Sequence, residues 1–497
     1  MRHPSDISSN PQSSLGFDGS AVAARAFQAS EIERGGASDT FNGLRKLIWL
    51  YFWLLMAEGA LRKWILPGFS NPLLIVRDPV LILCYIVAIQ QGAFPRTAFL
   101  PWIIGLAGCA VLFSVGGIWA GTSQSTIVVT LYGLRASFGH LPLIFLIARV
   151  FTRRDVEQVG RWLVVMAPPM AVLVFLQYRA PVESWINSGA GLDSAQIGVA
   201  VTGVEKVRPP GIFSYNTGLA AYLALLAASL IAHYLVRGTT YGKWLGIAAG
   251  LALIAIVPLA LSRSTLAALI IVALAGVVCM LRGPGLGGRG LLIAVAVVAG
   301  VGIVGSFSVF REGLGILQSR IEEAQGIKVG VVERFIDLFT KPVKSLSEAP
   351  LFGAGIGVGT NVGAKLISGR RGFLLSEGEW ERDVDEMGPL LGSAYILLRI
   401  ALVWHMAMVA WRSLRGGNPL SFLLLSAGGL SLLNGNFSTP TSLGFAVFTA
   451  GLCLAAAKDP GAEESMSDAL DAILIPAPRI RGRSIYADKL HGARRTS

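Results

Sequence analysis

The chain has 497 residues, of which 53% are hydrophobic and only 14% are charged. Its apolar runs repeatedly reach about 20 residues, the length of a helix that crosses a bilayer, which excludes an ordinary soluble protein. The net charge of +12 does not indicate a nucleic-acid partner, because arginines in short loops set the orientation of membrane proteins. The runs do not alternate polar and apolar residues as barrel strands do, so we predict an all-α polytopic membrane protein.

The chain divides into a polar tail, an apolar body and a second polar tail. Residues 1–44 are rich in Ser, Ala and Gly and lack the apolar core of a secretory signal, so we interpret them as a disordered N-terminal tail. Residues 458–497 form a C-terminal tail of similar composition. Between them, about 12 apolar runs predict transmembrane helices. They cover 45–66, 73–91, 100–118, 127–149, 161–179, 213–236, 242–261, 264–282, 290–310, 387–411, 419–435 and 440–457.

The loops between these runs differ in length and charge. One set is short and basic, for example "FTRRDVEQVGR" at 151–161 and "WRSLRGGN" at 411–418. The positive-inside rule places this set in the cytoplasm, together with both termini. The long connections, 180–212 and 311–386, then lie on the outer side of the membrane.

The connection 311–386 is too long to be an idle loop. Its first half carries apolar residues at helical spacing, which predicts an amphipathic helix on the membrane surface. The following "APLFGAGIGVG" has glycine at almost every second position, which predicts tight backbone conformations. It is not a nucleotide-binding loop, because it lacks both a strand–turn–helix setting and a GK[ST] sequence.

Ionisable residues within or beside a membrane span are costly, so each marks a candidate site. Glu58 and Arg62 are four residues apart and can neutralise each other. Arg77 and Asp78 can act as interfacial anchors. Arg208, followed by "PPG", and Arg263, in the short turn "LSRST", favour a functional role. For three further residues, a structural pair and a functional site are equally open roles. These residues are Arg135, His140 and Arg399.

Most of these charges lie in the outer half of the predicted topology. A guanidinium binds phosphate oxygens in a fixed fork and keeps its charge. A lipid diphosphate suits this depth, because its charge lies at the interface while its tail lies between helices. We therefore expect a lipid diphosphate to be bound by four arginines: Arg208, Arg263, Arg135 and Arg399.

The stretch "SEGEWERDVDEMGP", Ser376–Pro389, gathers six carboxylates and one arginine at the start of the tenth run. In a helix, Glu379, Arg382 and Glu386 would share one face and are the candidate catalytic residues. One carboxylate can act as general base on an attacking hydroxyl, and the arginine can stabilise a leaving diphosphate. Acids near a helix N-terminus can also be merely solvated. We expect that simpler role for Glu377, Glu381 and Asp383.

The chain resembles the O-antigen polymerase and O-antigen ligase superfamily of bacterial inner-membrane proteins. The resemblance rests on "RPPGIFSYNTGLAAYLAL" from Arg208, on "LSRSTLAALIIVAL" and on "APLFGAGIGVG", and covers most of residues 45–457. The stretches "AEGALRKWILP" and "EGEWERDVDEMG" are similar to an exopolysaccharide-associated branch. Ligases of this superfamily usually carry a histidine in the long outer loop, and residues 311–386 contain none.

The resemblance implies a metal-independent, GT-C-like glycosyltransferase without a cofactor. Its donor would be an undecaprenyl-diphosphate-linked glycan, and its acceptor a glycan or lipid-linked repeat unit in the periplasm. Arg208 and Arg263 match arginine-bearing positions of the family. The missing histidine leaves Glu379 or Glu386 as base and favours a polymerase over a ligase. A chain-length regulator and a flippase are further expected partners.

Two other functions remain open at this point. Many spans with buried charges also suit a secondary transporter for bicarbonate or another anion. Such carriers usually show two related halves with charges near the midplane, and no such repeat is visible here. A non-catalytic component of a polysaccharide export complex would need no site of arginines and carboxylates.

Overall fold

The computed structural model describes most of the apolar body and neither tail. Within the described residues the chain forms helices and no β-strand, which confirms an all-α membrane protein. The side chains of 320–339 are not described, and both predicted tails lie almost entirely outside the described residues. The described residues are 41–121, 123, 125–189, 206–235, 241–282, 297–326, 331–369, 374–376 and 378–458.

The described residues form sixteen α-helices, which we number in chain order. Two π-helical turns, Leu61–Ile65 and Arg135–Gly139, extend α1 and join α4 to α5. The helices are α1 Asn42–Ala60, α2 Arg77–Gln90, α3 Phe99–Trp119, α4 Ile127–Leu134, α5 Leu141–Val150, α6 Arg153–Arg179, α7 Asn216–Leu235, α8 Lys243–Leu259, α9 Arg263–Arg282, α10 Val297–Gly305, α11 Ser308–Gly326, α12 Val331–Glu348, α13 Asn361–Ser368, α14 Glu379–Arg415, α15 Leu420–Asn434 and α16 Pro440–Ala456.

Seven helical segments of the described chain are long and apolar enough to cross a membrane. The count is eight if α10 and α11, bent by 103° at a short break, form one span. Three further apolar helices, α8, α15 and α16, are shorter. Every run predicted from the sequence overlaps a helix, but the expected count of twelve spans stays a prediction.

The centre of the bundle is α16, which is buried along nearly its whole length. It packs against α15, α5 and α7. Glycines permit this close approach: Gly428 of α15 lies against Thr449 of α16, and Gly451 of α16 lies against Ile147 of α5. Small residues at helix crossings are the usual means of tight packing where lipid supplies no hydrophobic drive. The outer faces of α3 and α9 remain exposed and apolar.

The connections predicted to lie on the outer side meet at one end of the bundle. Gly59, at the end of α1, packs on the backbone of residues 212–214. Gly133 of α4 packs on the backbone of Gly357, in the glycine-rich stretch of the long connection. Ser123 donates a hydrogen bond of 2.7 Å to the carbonyl of Ala354 in the same stretch. This end of the bundle therefore brings together segments that are far apart in sequence.

The first half of the long connection forms two helices, α11 and α12. The predicted helix in this part of the chain is therefore present. Its position on the membrane surface stays a prediction, because most of its side chains lie outside the described set.

Helix α14 begins earlier than the apolar run that predicted it and is broken near its start. Gly388 has φ 82°, a left-handed conformation that favours glycine, and Pro389 follows it. An acidic segment, 379–387, thus precedes the apolar segment 389–415. The acidic segment is a separate short helix rather than the first turns of a straight span.

Helix α6 begins with a capping box, which predicts a measurable loss of stability in Thr152→Ala. The Thr152 hydroxyl accepts from the Asp155 amide, and the Asp155 carboxylate accepts from the Thr152 amide at 2.8 Å. We expect Thr152→Ala to lower the free energy of unfolding by about 1 kcal/mol. Thermal unfolding in detergent would measure the change, with Ser319→Ala, an exposed serine within α11, as control. Equal melting temperatures for both variants would contradict the prediction.

Candidate functional site

Four of the charged residues in the acidic segment and one from deeper in α14 form a buried ionic cluster. Arg382 Nη1 lies 2.9 Å from Glu379 Oε2, and Arg399 Nη1 lies 3.1 Å from Glu379 Oε1 and 3.3 Å from Asp383 Oδ2. None of the five side chains is more than 6% exposed. We call this set the acidic cluster: Glu379, Arg382, Asp383, Glu386 and Arg399.

The glycine-rich stretch wraps around Glu386. The Glu386 carboxylate accepts hydrogen bonds from the amides of Gly357, at 3.0 Å, and Gly359, at 2.9 Å. The carbonyl of Glu386 accepts from the Gly355 amide at 3.0 Å. Arg382 Nε also lies 3.6 Å from Glu386 Oε1. The Glu386 carboxylate therefore contacts two backbone amides and one guanidinium group.

The acidic cluster is also tied to the turn between α15 and α16. Arg399 donates to the carbonyls of Leu432, at 2.9 Å, and Gly435, at 3.0 Å. Glu379 accepts from the Phe437 amide at 3.0 Å. The cluster therefore fixes the position of that turn relative to α14.

The structure confirms that Glu379, Arg382 and Glu386 share one face, as their spacing indicated. The expectation that Asp383 is solvated is wrong, because its side chain is fully buried against Arg399. Glu377 lies outside the described residues. A general base must reach a substrate proton. Burial and ion pairing with Arg382 do not favour Glu379 or Glu386 for that role, which stays a prediction.

A second buried ionic group joins the ends of α1 and α2. Glu58 lies 3.1 Å from Arg77 Nε and 3.5 Å from Arg62 Nη1. Arg77 is completely buried and also donates to the carbonyl of Pro440 at the start of α16. Arg77 is therefore not an interfacial anchor. Glu58 and Arg62 neutralise each other as their spacing predicted, with Arg77 as an additional partner.

Asp78, the neighbour of Arg77, contacts a different pair of residues. Its carboxylate is paired with Arg135, in the second π-helical turn, and lies 3.5 Å from His140 Nε2. The side chains of Asp78 and Arg135 are 17% and 14% exposed, more than any member of the two buried groups. Arg135 is thus bound to a carboxylate, in contrast to the diphosphate role predicted from the sequence.

The segment that carries Arg208 is held in place through Gly211. The Gly211 amide donates to Gln177 Oε1 at 2.9 Å, and Gln177 Nε2 donates back to the Gly211 carbonyl at 3.1 Å. Lys63 Nζ donates to the same carbonyl at 2.6 Å. Gly211 has φ 62°, which favours glycine at this position. Residues from α6 and from the π-helical turn after α1 therefore determine where Arg208 lies.

Arg208 lies near Arg263, the first residue of α9. Partial burial lowers the pKa of Arg208, and the positive charge of Arg263 lowers it further. The Arg208 Nε atom is buried and has no hydrogen-bond partner among the described residues. Two positively charged guanidinium groups repel each other, and an anion between them would relieve that repulsion.

Of the four arginines predicted to bind a diphosphate, Arg208 and Arg263 are close enough for the charge of Arg263 to lower the pKa of Arg208. Arg135 and Arg399 each pair with carboxylates in separate clusters. Sequence reasoning missed Gln177, which places Arg208. Its only signal is a polar side chain near the end of an otherwise apolar run, and that signal does not reveal its partner.

No protein-family model matches the chain, and a search of curated proteins finds no match.

Proposed function

We propose that this protein is a glycosyltransferase of the bacterial inner membrane, with about twelve spans, a GT-C-like architecture and both termini in the cytoplasm. It would polymerise or ligate undecaprenyl-diphosphate-linked oligosaccharides on the periplasmic face, in O-antigen or exopolysaccharide assembly. The observation that supports this function is the buried Arg208 Nε, which has no hydrogen-bond partner among the described residues, together with the influence of the Arg263 charge on Arg208.

The chemistry of the transfer explains why two arginines would be needed. A hydroxyl of the acceptor attacks the anomeric carbon of the donor sugar, and the bond to the diphosphate oxygen breaks. Negative charge then grows on the diphosphate, and two fixed guanidinium groups stabilise it without a proton transfer. The arginines would therefore bind the transition state more strongly than the ground state.

Polymerase activity is the favoured form of this function. Residues 311–386 contain no histidine, where ligases of the resembling superfamily usually carry one. The acceptor would then be a second lipid-linked repeat unit. A chain-length regulator and a flippase would act beside the protein in the same membrane.

The proposed function predicts that Arg208→Ala and Arg263→Ala each lower turnover by roughly 10²–10³-fold, the usual effect of removing one group that stabilises transition-state charge. The protein would be purified into nanodiscs and incubated with undecaprenyl-diphosphate oligosaccharide from the same host. Released lipid diphosphate and product length would be followed together. Arg161→Ala, an exposed arginine near the other end of the bundle, is the matched control.

Full turnover in both arginine variants would contradict this site. If the unaltered protein turns over no donor but moves bicarbonate or another anion into proteoliposomes, the transferase is wrong and the transporter replaces it. Thermal unfolding of each variant separates a lost fold from a lost site.

A further inference from the structure

Asp78 lies between an arginine and a histidine at the end of the bundle where Arg208 is also found. Arg135 Nε binds Asp78 Oδ2, and His140 Nε2 lies 3.5 Å from Asp78 Oδ1. Tyr132 completes the group, with its ring 5.3 Å from the Arg135 guanidinium. We call these four residues the Asp78 group: Asp78, Tyr132, Arg135 and His140.

The contact between His140 and Asp78 requires a shared proton or an additional hydrogen-bond donor. His140 Nδ1 lies 3.4 Å from the carbonyl of Arg135, which can only accept, so Nδ1 must carry the hydrogen. In a neutral ring Nε2 is then an acceptor. It faces a carboxylate oxygen, which is also an acceptor. The contact is favourable only when a proton is shared between the two groups or a third group donates to both.

Other polar atoms of the Asp78 group also lack partners. Buried atoms without a hydrogen bond among the described residues are Asp78 Oδ1, His140 Nε2, Arg135 Nη1 and the Tyr132 hydroxyl. A buried polar group without a hydrogen-bond partner is unfavourable. The acidic cluster also has three such atoms, Glu379 Oε2, Arg382 Nε and Asp383 Oδ1, but the side chains that carry them are at most 3% exposed. The Asp78 group therefore has the donors and acceptors to bind a hydroxyl-rich ligand.

The Asp78 group is less enclosed than the acidic cluster and the buried ionic group around Glu58. Asp78 and Arg135 retain 17% and 14% exposure, whereas the side chains of Glu58 and Arg77 are 1% exposed. Arg135 belongs to a π-helical turn, a distortion that is frequent at functional sites. An aromatic ring beside a carboxylate suits a sugar, which presents both C–H and O–H groups.

We infer that Asp78, backed by His140, is the general base that removes the proton from the acceptor hydroxyl. This inference rests on the proposed transferase function and assigns to Asp78 the step that the sequence predicted for Glu379 or Glu386. The acceptor oxygen forms its bond to the anomeric carbon, and the bond from that carbon to the diphosphate oxygen breaks with its electron pair. The proton passes to the Asp78–His140 pair and from there to solvent. Arg135 is a positioning residue that holds the Asp78 carboxylate.

The test compares Asp78→Asn with Asp78→Glu in the nanodisc assay. We expect Asp78→Asn to lower kcat by about 10²–10⁴-fold, the range for a lost general base, with donor KM little changed. Asp78→Glu should recover part of that loss. Glu157→Gln, in a partly exposed pair with Arg153 at 3.1 Å, is the matched control and should keep full activity.

The pH profile distinguishes a base from a structural ion pair. A general base must be deprotonated to act, so the rate should fall at acid pH, and this limb should be lost in Asp78→Asn and displaced in His140→Gln. The charged or titratable groups that face His140 are Tyr51, Arg77, Asp78 and Arg135. Because the arginines keep their charge and tyrosine titrates at high pH, they do not supply an acidic limb.

Each outcome decides the inference. Unchanged kcat in Asp78→Asn overturns it while leaving the proposed function intact. An equal loss of donor binding and rate overturns it as well, since that indicates a structural role. If Asp78→Asn does not fold, an unshifted acidic limb in His140→Gln overturns it. No turnover by the unaltered protein would overturn the proposed function and this inference together, and that result is distinct from the others.

Discussion

Arg399→Met is expected to lower the free energy of unfolding by about 3–5 kcal/mol, the cost of leaving buried charges without their partner. Arg399 is completely buried and contacts both Glu379 and Asp383. The acidic cluster holds three carboxylates and two arginines, so removing one arginine leaves an excess of two negative charges. The carboxylates are too deep for water to compensate.

Thermal and denaturant unfolding in detergent would measure this loss. Arg412→Met, an exposed arginine on the same helix, is the matched control and should change stability little. Adding Asp383→Asn to Arg399→Met should recover part of the loss, because the double variant restores the charge balance of the cluster. A single variant as stable as the control would show that the cluster contributes nothing to folding.

Gly357→Ala is expected to be the second most damaging change and to disrupt the glycine-rich stretch. Gly357 has φ 93°, which costs a residue with a Cβ atom roughly 1–2 kcal/mol. That Cβ would also overlap the carbonyl oxygen of Val129 and lie 3.0 Å from Gly133. Overpacking of this kind costs about 1–3 kcal/mol more. A shift of the backbone would in addition loosen the hydrogen bond from Gly357 to Glu386.

Substitutions at two other glycines distinguish the cost of the backbone conformation from the cost of the close contact. Gly369 has φ 70° with no atom within 4 Å of an added Cβ, so Gly369→Ala should show the conformational cost alone. Gly105, in the middle of α3, has neither constraint, and Gly105→Ala should be neutral or slightly stabilising. Melting temperatures in the order Gly105→Ala, Gly369→Ala, Gly357→Ala, from highest to lowest, are expected. A melting temperature of Gly357→Ala equal to or above that of Gly369→Ala would show that the close contact with α4 does not limit the residue at position 357.

Much of the fold could be predicted from the sequence, because the length of an apolar run depends only on consecutive residues. The run 100–118 became α3, Phe99–Trp119, and the run 440–457 became α16, Pro440–Ala456. The break in α14 could not be located in this way, because the acidic segment continues the helix up to Gly388. Gly388 and Pro389 permit the bend, and the packing of Gly388 against Leu351 and Gly353 fixes it there.

The sequence indicated which residues belong to the candidate site, but not which of them pair with one another. Arg208 and Arg263 were selected by their contexts, and in the structure the charge of Arg263 acts on Arg208. Arg77 and Asp78 are adjacent in sequence yet belong to different groups, because neighbouring residues on a helix point in different directions. Such pairings depend on which helices pack together, and that information is absent from the spacing of one segment.

The hydrogen bonds and ion pairs of the acidic cluster restrict which segments can be exchanged in a chimaera with a second protein. Trp380 Nε1 donates to the carbonyl of Leu433, so the acidic segment and the turn after α15 form one unit together with the glycine-rich stretch. A chimaera that replaced only one of these three pieces would inherit a carboxylate or an arginine without its counterpart. Residues 351–399, which include Arg399, and 432–440 must therefore be transplanted together, although the rest of α14 and most of α15 separate them in the sequence.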